Sequence, residues 1–371
     1  MSIFDRKPAL RWVAPLAFVA VVGATGGVVA TADAQDTLPP ISAADLLVKM
    51  QQSKVQDFSG TVVQNSDLGL PSIPGVGGSD DASLTSLVSG SHTLDVWHAG
   101  TDQARLRVQG KLDESDVITN GKDVWTWSYK DKTATHRTLT APTAAQTSEA
   151  QKSAATEAPK TPQEAATKVL AALEPTTVVS TGRNAVIAGQ NAYELVLTPK
   201  DSGSLVSQVR IAVDSDNFMP LRVQVVAGDK EAFAVYYTKV DFSRPSAEQF
   251  TFKAPAGTKV TEAAPHRATP TTGRTTQQKK AQQAKAAKAQ QQTKVVGHGW
   301  TSVLVTKVPS GAAESSKGQL ASVLQALPEQ HGTWGSGRVL KGTAFTAVLT
   351  DDGRLAVGSV DQKTLLAALD K

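Results

Sequence analysis

The chain has 371 residues, a net charge of +4, 40% hydrophobic residues and no cysteine. At roughly 100–200 residues per domain this length makes two or three domains. The missing cysteines exclude disulfides, thiolate chemistry, cysteine metal sites and acylation at a lipobox cysteine. The basic excess is local: seven Lys and Arg residues and no acid lie between Ala263 and Lys294, and without them the chain carries −3. A basic surface for nucleic acid is therefore not expected.

Residues 1–34 read as an export signal. Arg6, Lys7 and Arg11 precede the apolar run Val13–Ala30, and Ala32-Asp33-Ala34 offers a small-x-small cleavage site before Gln35. An uncleaved anchor is the alternative. The run falls slightly short of the ~20 residues that span a bilayer, and it contains Pro15 and three glycines. Either way the rest of the chain is expected outside the cytoplasm: on the outer face of the cytoplasmic membrane, in the wall space or extracellular.

Ser42-x-x-Asp45 opens a short amphipathic helix with Leu46, Leu47 and Met50 on one side. Pro71, Pro74 and Gly75-Val76-Gly77-Gly78 make Asp67–Ser83 an irregular insertion. Runs of alternating or β-branched residues then predict strands at Phe58–Gln64, Thr93–His98, Ala104–Gln109, Asp123–Ser128 and Thr133–Arg137. Asn120-Gly121 is read as the tight turn of a hairpin whose outgoing strand carries Trp125 and Trp127 on one face. Ala141–Lys160 is low in large apolar residues, so it adds no core. Thr161, Pro162, Glu164 and Pro175 bracket a second helix, Pro162–Leu173. Further strands follow at Ala192–Thr198, Ser204–Asp214, Pro220–Val226 and Ala232–Val240.

This pattern predicts a mainly β, α+β chain. A large curved antiparallel sheet forms an unclosed barrel under a helical lid, and a small C-terminal α+β domain follows. The expected divisions are 1–34 for the signal or anchor, 35–262 for the barrel domain with its low-complexity insertion near 141–160, 263–294 for a basic linker and 295–371 for the last domain. In that domain Trp300–Val308 reads as a strand and Ser316–Leu327 as a helix. Thr343–Thr350 and Arg354–Val360 read as a hairpin across Asp351-Asp352-Gly353, and Asp361 as the cap of a closing helix. The linker is expected to be a protease-sensitive tether between independently folded units. Adhesion to anionic membrane or wall polymers is its other reading.

No GxSxG, HExxH, P-loop or GxGxxG occurs. No two histidines stand at ligand spacing, His298 reads as an exposed loop residue between glycines, and Asp351-Asp352 reads as a turn. No catalytic residue, metal or cofactor is therefore expected. What remains is apolar surface. A strongly curved sheet with short helices exposes more of it than they can cover, which makes Trp97, Trp125, Trp127, Leu195, Leu197, Ile211, Val223 and Val235 candidates for a hydrophobic cavity. Ordinary core packing is the alternative for the tryptophans.

Several segments carry a family resemblance. Asn120-Gly121-Lys122 with Trp125-Thr126-Trp127 resembles the hairpin of the LolA/LolB-like lipoprotein-localisation factors. So do Val186-Ile187-Ala188-Gly189-Gln190-Asn191-Ala192-Tyr193-Glu194-Leu195, Ile211-Ala212-Val213-Asp214 with Pro220-Leu221-Arg222, and Phe250-Thr251-Phe252 with Pro255-Ala256-Gly257. They run in order over Ile41–Val260, and the insertion at Leu68–Gly75 together with the low-complexity stretch resembles the actinobacterial branch. The resemblance implies an unclosed barrel whose cavity accepts acyl chains of lipids or lipoproteins, and no catalytic residues. The two-domain layout also resembles the MucB/RseB regulators, which implies a membrane-anchored anti-sigma factor as partner. The sequence leaves carrier and regulator both open.

If residues 1–34 are a cleaved signal, N-terminal sequencing of envelope-extracted protein should start near Gln35. A start at Met1 or Ser2 would establish the anchor instead.

Overall fold

The computed structural model describes residues 38–70, 82, 86–139, 175–263, 293–308 and 326–370. The signal segment, the low-complexity stretch, the helix Pro162–Leu173, nearly all of the basic linker and most of the helix Ser316–Leu327 lie outside the described residues.

The first described element is helix α1 (Ala43–Gln52). It starts where the sequence places it, because the Ser42 hydroxyl accepts the Asp45 amide at 3.0 Å and satisfies one of the free N–H groups of the first turn. Thirteen strands then build one sheet: β1 (Asp57–Ser66), β2 (Gly90–Ala99), β3 (Gln103–Gln109), β4 (Glu114–Asn120), β5 (Asp123–Ser128), β6 (Thr133–Thr138), β7 (Thr177–Thr181), β8 (Ala185–Ile187), β9 (Gln190–Pro199), β10 (Val206–Asp214), β11 (Pro220–Ala227), β12 (Lys230–Asp241) and β13 (Lys259–Glu262). Their spatial order is β13-β6-β5-β4-β3-β2-β1-β12-β11-β10-β9-β7, with β8 added on β9. The edge strands β13 and β7 do not pair, so the sheet is not closed into a barrel.

Two expectations need correction. The sheet is mixed, because β13 runs parallel to β6 whereas the other pairs are antiparallel. The β4–β5 loop is Gly121-Lys122, since Asn120 still pairs with Asp123. Of these residues only Gly121 has a positive φ, 61°. That is the type II′ arrangement, which asks for glycine at the first central position alone. The β8–β9 turn does use two left-handed residues, Ala188 at 52° and Gly189 at 79°.

A second sheet follows, from β14 (Thr293–Val296), β15 (Val303–Lys307), β16 (Glu329–Gly332), β17 (Gly335–Lys341), β18 (Thr346–Thr350) and β19 (Arg354–Gly358), in the order β14-β15-β19-β18-β17-β16. Helix α2 (Gln362–Leu369) is capped by Asp361, which accepts the Thr364 amide at 2.7 Å. Leu365 and Leu369 of α2 pack with Val303, Val348 and Ala356 as a separate core. The Asp351-Asp352-Gly353 turn is as read, with Gly353 at φ 81°.

Trp300 departs from its predicted strand. It lies in a 3₁₀ turn, Gly299–Thr301, and its indole N–H donates to Thr177 Oγ1 of the first sheet at 2.7 Å. The Leu205 amide donates to the Ser359 carbonyl and the Thr343 amide to Leu68, both at 2.8 Å. Between these points Val206, Ala227, Ala232 and Ala344 form an apolar cluster with Trp300, Leu68, Val209 and Val225 packed against it.

Trp300 supplies both a donor and a large apolar surface to this junction. Trp300→Ala should therefore raise amide hydrogen exchange at Leu205 and Thr343 by about tenfold, the loss expected for roughly 1.4 kcal/mol. Exchange at Val348 and Ala356 should stay unchanged. Undiminished protection at Leu205 would show that Trp300 does not anchor the junction.

Candidate functional site

Strand alternation and register decide which side chains share a face. On β9 to β12, Leu195 stands opposite Ile211, Ile211 opposite Val223, and Val223 opposite Val235. The row continues onto β1 and β2, because Val235 stands opposite Gln64 and Gln64 opposite His92. A second row beside it runs Leu197, Val209, Val225, Phe233 and Ser66. These rows occupy what is here named the helix face. Helix α1 lies over one end, where Leu46, Leu195 and Val213 are buried with Leu47, Met50 and Ile211 packed against them. At the other end Val62, Leu94 and Val108 are buried together with Ala82 of the insertion and with Leu87 of the 3₁₀ turn Ser86–Val88. Phe58 meets the edge of Tyr237 at 6.4 Å, and burial holds the Tyr237 phenol above its ordinary pKa, so it stays neutral.

The tryptophans lie on the opposite face. Trp97 stands opposite Ser59, an odd number of residues from Gln64 along β1, so its ring emerges on the other side. Trp97 then aligns with Arg105, Arg105 with Ile118, and Ile118 with Trp125. The eight candidate cavity residues are thus divided three to five by the sheet itself. The expectation of a single cavity is corrected on this point. A one-residue offset in register moves a whole strand's side chains to the other face, and the offset is set by pairing between distant segments.

The tryptophan face is filled by the protein's own groups. The guanidinium carbons of Arg105 and Arg107 each lie 5.4 Å from the Trp97 ring centre. Arg105 binds the buried Asp116 with two bonds of 2.9 Å. Trp125 stacks on His136 at 4.3 Å and lies 4.8 Å from Phe252, and Trp127 meets the same Phe252 at 6.0 Å. The Ala247–Phe250 turn carries Phe250 into the interior and accepts from Arg105 at the Gln249 carbonyl, 3.4 Å. Farther along this face Glu194 and Arg222 form a buried ion pair at 2.6 Å. No motif pointed to either arginine–carboxylate pair.

Two clefts accompany the sheet. One of about 320 Å³ is lined by Ile41, Arg183, Tyr193 and Glu194 at the gap between β7 and β8. The other, about 190 Å³, lies between Thr176, Lys200, His298 and Trp300. Among the described residues no three His, Asp or Glu side chains stand close enough to hold a metal ion, and no helix is long and apolar enough to cross a membrane.

His136 fastens the edge strand. Its Nδ1 lies 2.8 Å from Glu262 of β13 and its Nε2 2.9 Å from Asp123 of β5. A neutral imidazole has one N–H, so only the imidazolium can donate to both carboxylates. Burial lowers the His136 pKa, but the hydrogen bonds and charges of Asp123 and Glu262 together outweigh it and leave the group above its ordinary value. The contribution is therefore complete below about pH 6.5 and lost as pH rises through the raised folded value. The Lys259 amide, bonded to the Lys132 carbonyl at 2.8 Å, should show less exchange protection at pH 8.5 than at pH 6 after correction for intrinsic rates. His136→Gln should abolish that difference, and an unchanged pH dependence in the variant would assign it to other groups.

No family model and no curated protein matches the sequence. Among solved structures the chain is similar to MucB in complex with MucA(peri), at 14% identity over 88% of this chain and 97% of that one, TM-score 0.42. It is similar to the Pseudomonas aeruginosa MucA/MucB complex at 14% identity over 88% and 96%, TM-score 0.41. It is also similar to a LolA superfamily protein from Nitrosomonas europaea, at 13% identity over 57% of this chain and 99% of that one, TM-score 0.22. The kind of protein that the motifs resemble and the kind that the two-domain layout resembles are both among these structures.

Proposed function

We propose that this is an exported, non-enzymatic binding protein that holds acyl chains of lipids or lipoproteins against the helix face. One observation carries the reading: Leu195, Ile211, Val223 and Val235 form an unbroken aliphatic row across four adjacent strands, with α1 over its Leu195–Ile211 end. At about 4.8 Å between strands the row is roughly 14 Å long. Each methylene buried along it contributes about 0.8 kcal/mol, so part of one acyl chain suffices to hold a cargo. Leu197 in the parallel row widens the same surface. Trp97, Trp125 and Trp127 then serve the stability of the opposite face.

A second reading is a regulator that senses such a ligand and acts on a membrane-anchored anti-sigma factor. One feature favours it. Val209 and Val225 of the second row pack against the junction cluster of Ala344 and Trp300, so the second sheet touches the surface proposed to bind cargo. Linker contact with anionic membrane or wall polymers is compatible with both readings. So are an export address and an actinobacterial source.

Val235→Trp fills the row at a half-buried position. It should weaken binding of a fluorescent fatty acid at least tenfold while costing about 1–3 kcal/mol in urea unfolding, the range for overpacking. Trp127→Ala should cost about 3–5 kcal/mol and leave affinity per folded molecule unchanged. Loss of affinity in Trp127→Ala with full affinity in Val235→Trp would place the ligand on the other face and reject the helix face.

A further inference from the structure

The aliphatic row ends in polar groups, and their chemistry selects a ligand. Gln64 continues the row directly after Val235, with His92 directly opposite Gln64 on β2. Ser66 continues the second row after Phe233. All three are closed off from solvent, at 4%, 2% and 1% exposure. Half of Gln64 and of His92 is occupied. The Gln64 amide donates to the Leu87 carbonyl at 3.3 Å, and His92 Nε2 lies 2.8 Å from the Ser89 carbonyl. A carbonyl only accepts, so Nε2 carries the proton and Nδ1 of the neutral ring is an acceptor. The other half is not occupied: among the described residues Gln64 Oε1, His92 Nδ1 and Ser66 Oγ have no hydrogen-bond partner. Asn65, between them in sequence, points to the opposite face and accepts from Ser91 at 2.8 Å. The orphaned atoms therefore belong to the helix face and to the end of the aliphatic row. A buried polar atom without a partner is costly to the fold, so three together call for a group to pair with.

We propose that Gln64, His92 and Ser66 form a head-group subsite for an acyl ligand with a neutral hydrogen-bond-donating head, a hydroxyl or an amide N–H. The proposal rests on the acyl-binding reading above and adds which end of the row takes the head and of what class it is. Gln64 Oε1 and His92 Nδ1 offer lone pairs, and the Ser66 hydroxyl can donate or accept. The two free hydroxyls of a monoacylglycerol can satisfy both acceptors, and the single N–H of an N-acyl amide one of them. A carboxylate or phosphate would set its own lone pairs against them, and neither row contains Lys or Arg to offset that.

The test compares monooleoylglycerol with oleate, two ligands of one acyl chain and different heads. Each displaces a polarity-sensitive acyl probe from the delipidated full-length protein at pH 8. Wild type should prefer monooleoylglycerol at least tenfold. Gln64→Met and His92→Leu should each bring the preference below threefold while leaving oleate affinity within twofold, and Ser66→Ala should reduce it partially. Urea unfolding of each variant reports folding, and the wild-type comparison decides even if a variant does not fold. A purely structural role for these side chains, or a bridging water in their midst, predicts variants that discriminate as wild type does. That result, or equal wild-type affinities, overturns the subsite and leaves the acyl-binding reading standing. If no acyl probe binds wild type, the binding reading itself fails and the subsite with it.

Discussion

The pairing of β1 on both edges is the constraint from which the rest follows. β2 comes next in sequence, whereas β12 lies far along the chain, and each meets β1 along most of its length. Closing so long a loop costs entropy that only many simultaneous contacts can offset. Once formed, the pairing fixes which residues of two sequence-distant strand groups share a surface. Near this seam β12 bulges: Thr61 pairs with Lys239 but Val62 with Tyr237. The extra residue, Thr238, bends the strand locally and keeps Val235 in line with Gln64. The helix face is thus a joint product of β9–β12, which supply aliphatic side chains, and of β1 and β2, which supply the polar end.

Much of this fold was legible in the sequence because much of it is local. Alternation marks most strands, Ser42 and Asp361 mark helix starts, and Gly121, Gly189 and Gly353 mark reversals that need a left-handed residue. The face on which a strand's side chains meet those of a distant strand is a different kind of information. Trp125 and Trp127 do share a face, as their spacing requires. Nothing in either hairpin says that Leu195 and Ile211 lie on the other one. The same limit hid Arg105–Asp116 and Glu194–Arg222, whose partners meet only through register. Trp300 departs from its predicted strand for a related reason: the run Val303-Leu304-Val305 after it suits a strand, but Thr177, far away in sequence, holds Trp300 in a turn.

The two faces differ in how far their groups are committed to partners within the protein. On the tryptophan face aromatic rings are stacked and arginines are paired, so its groups are committed to one another. Exchanging such partners for a ligand would strand a buried charge at Asp116 or Glu194, which is costly. On the helix face the two rows are aliphatic from Leu195 to Val235 and from Leu197 to Val225, so an apolar guest along them displaces no hydrogen bond. The face with large rings has the stronger appearance of a pocket in sequence, yet its energetics are those of a core.

Electrostatics separates the faces further. Along the two rows from Leu195 to His92 and from Leu197 to Ser66 no formally charged residue occurs, whereas the opposite face carries Asp95, Arg105, Arg107, Asp116, Glu194 and Arg222. An uncharged concentration of surface gains from burial whatever the chain of the guest, so on the proposed reading the rows alone would confer affinity without choice. Selection has to come from groups whose pairing is directional. On the proposed reading the polar end at Gln64 and His92 supplies such groups, and lone pairs without a countercharge would favour a donor and oppose an anion.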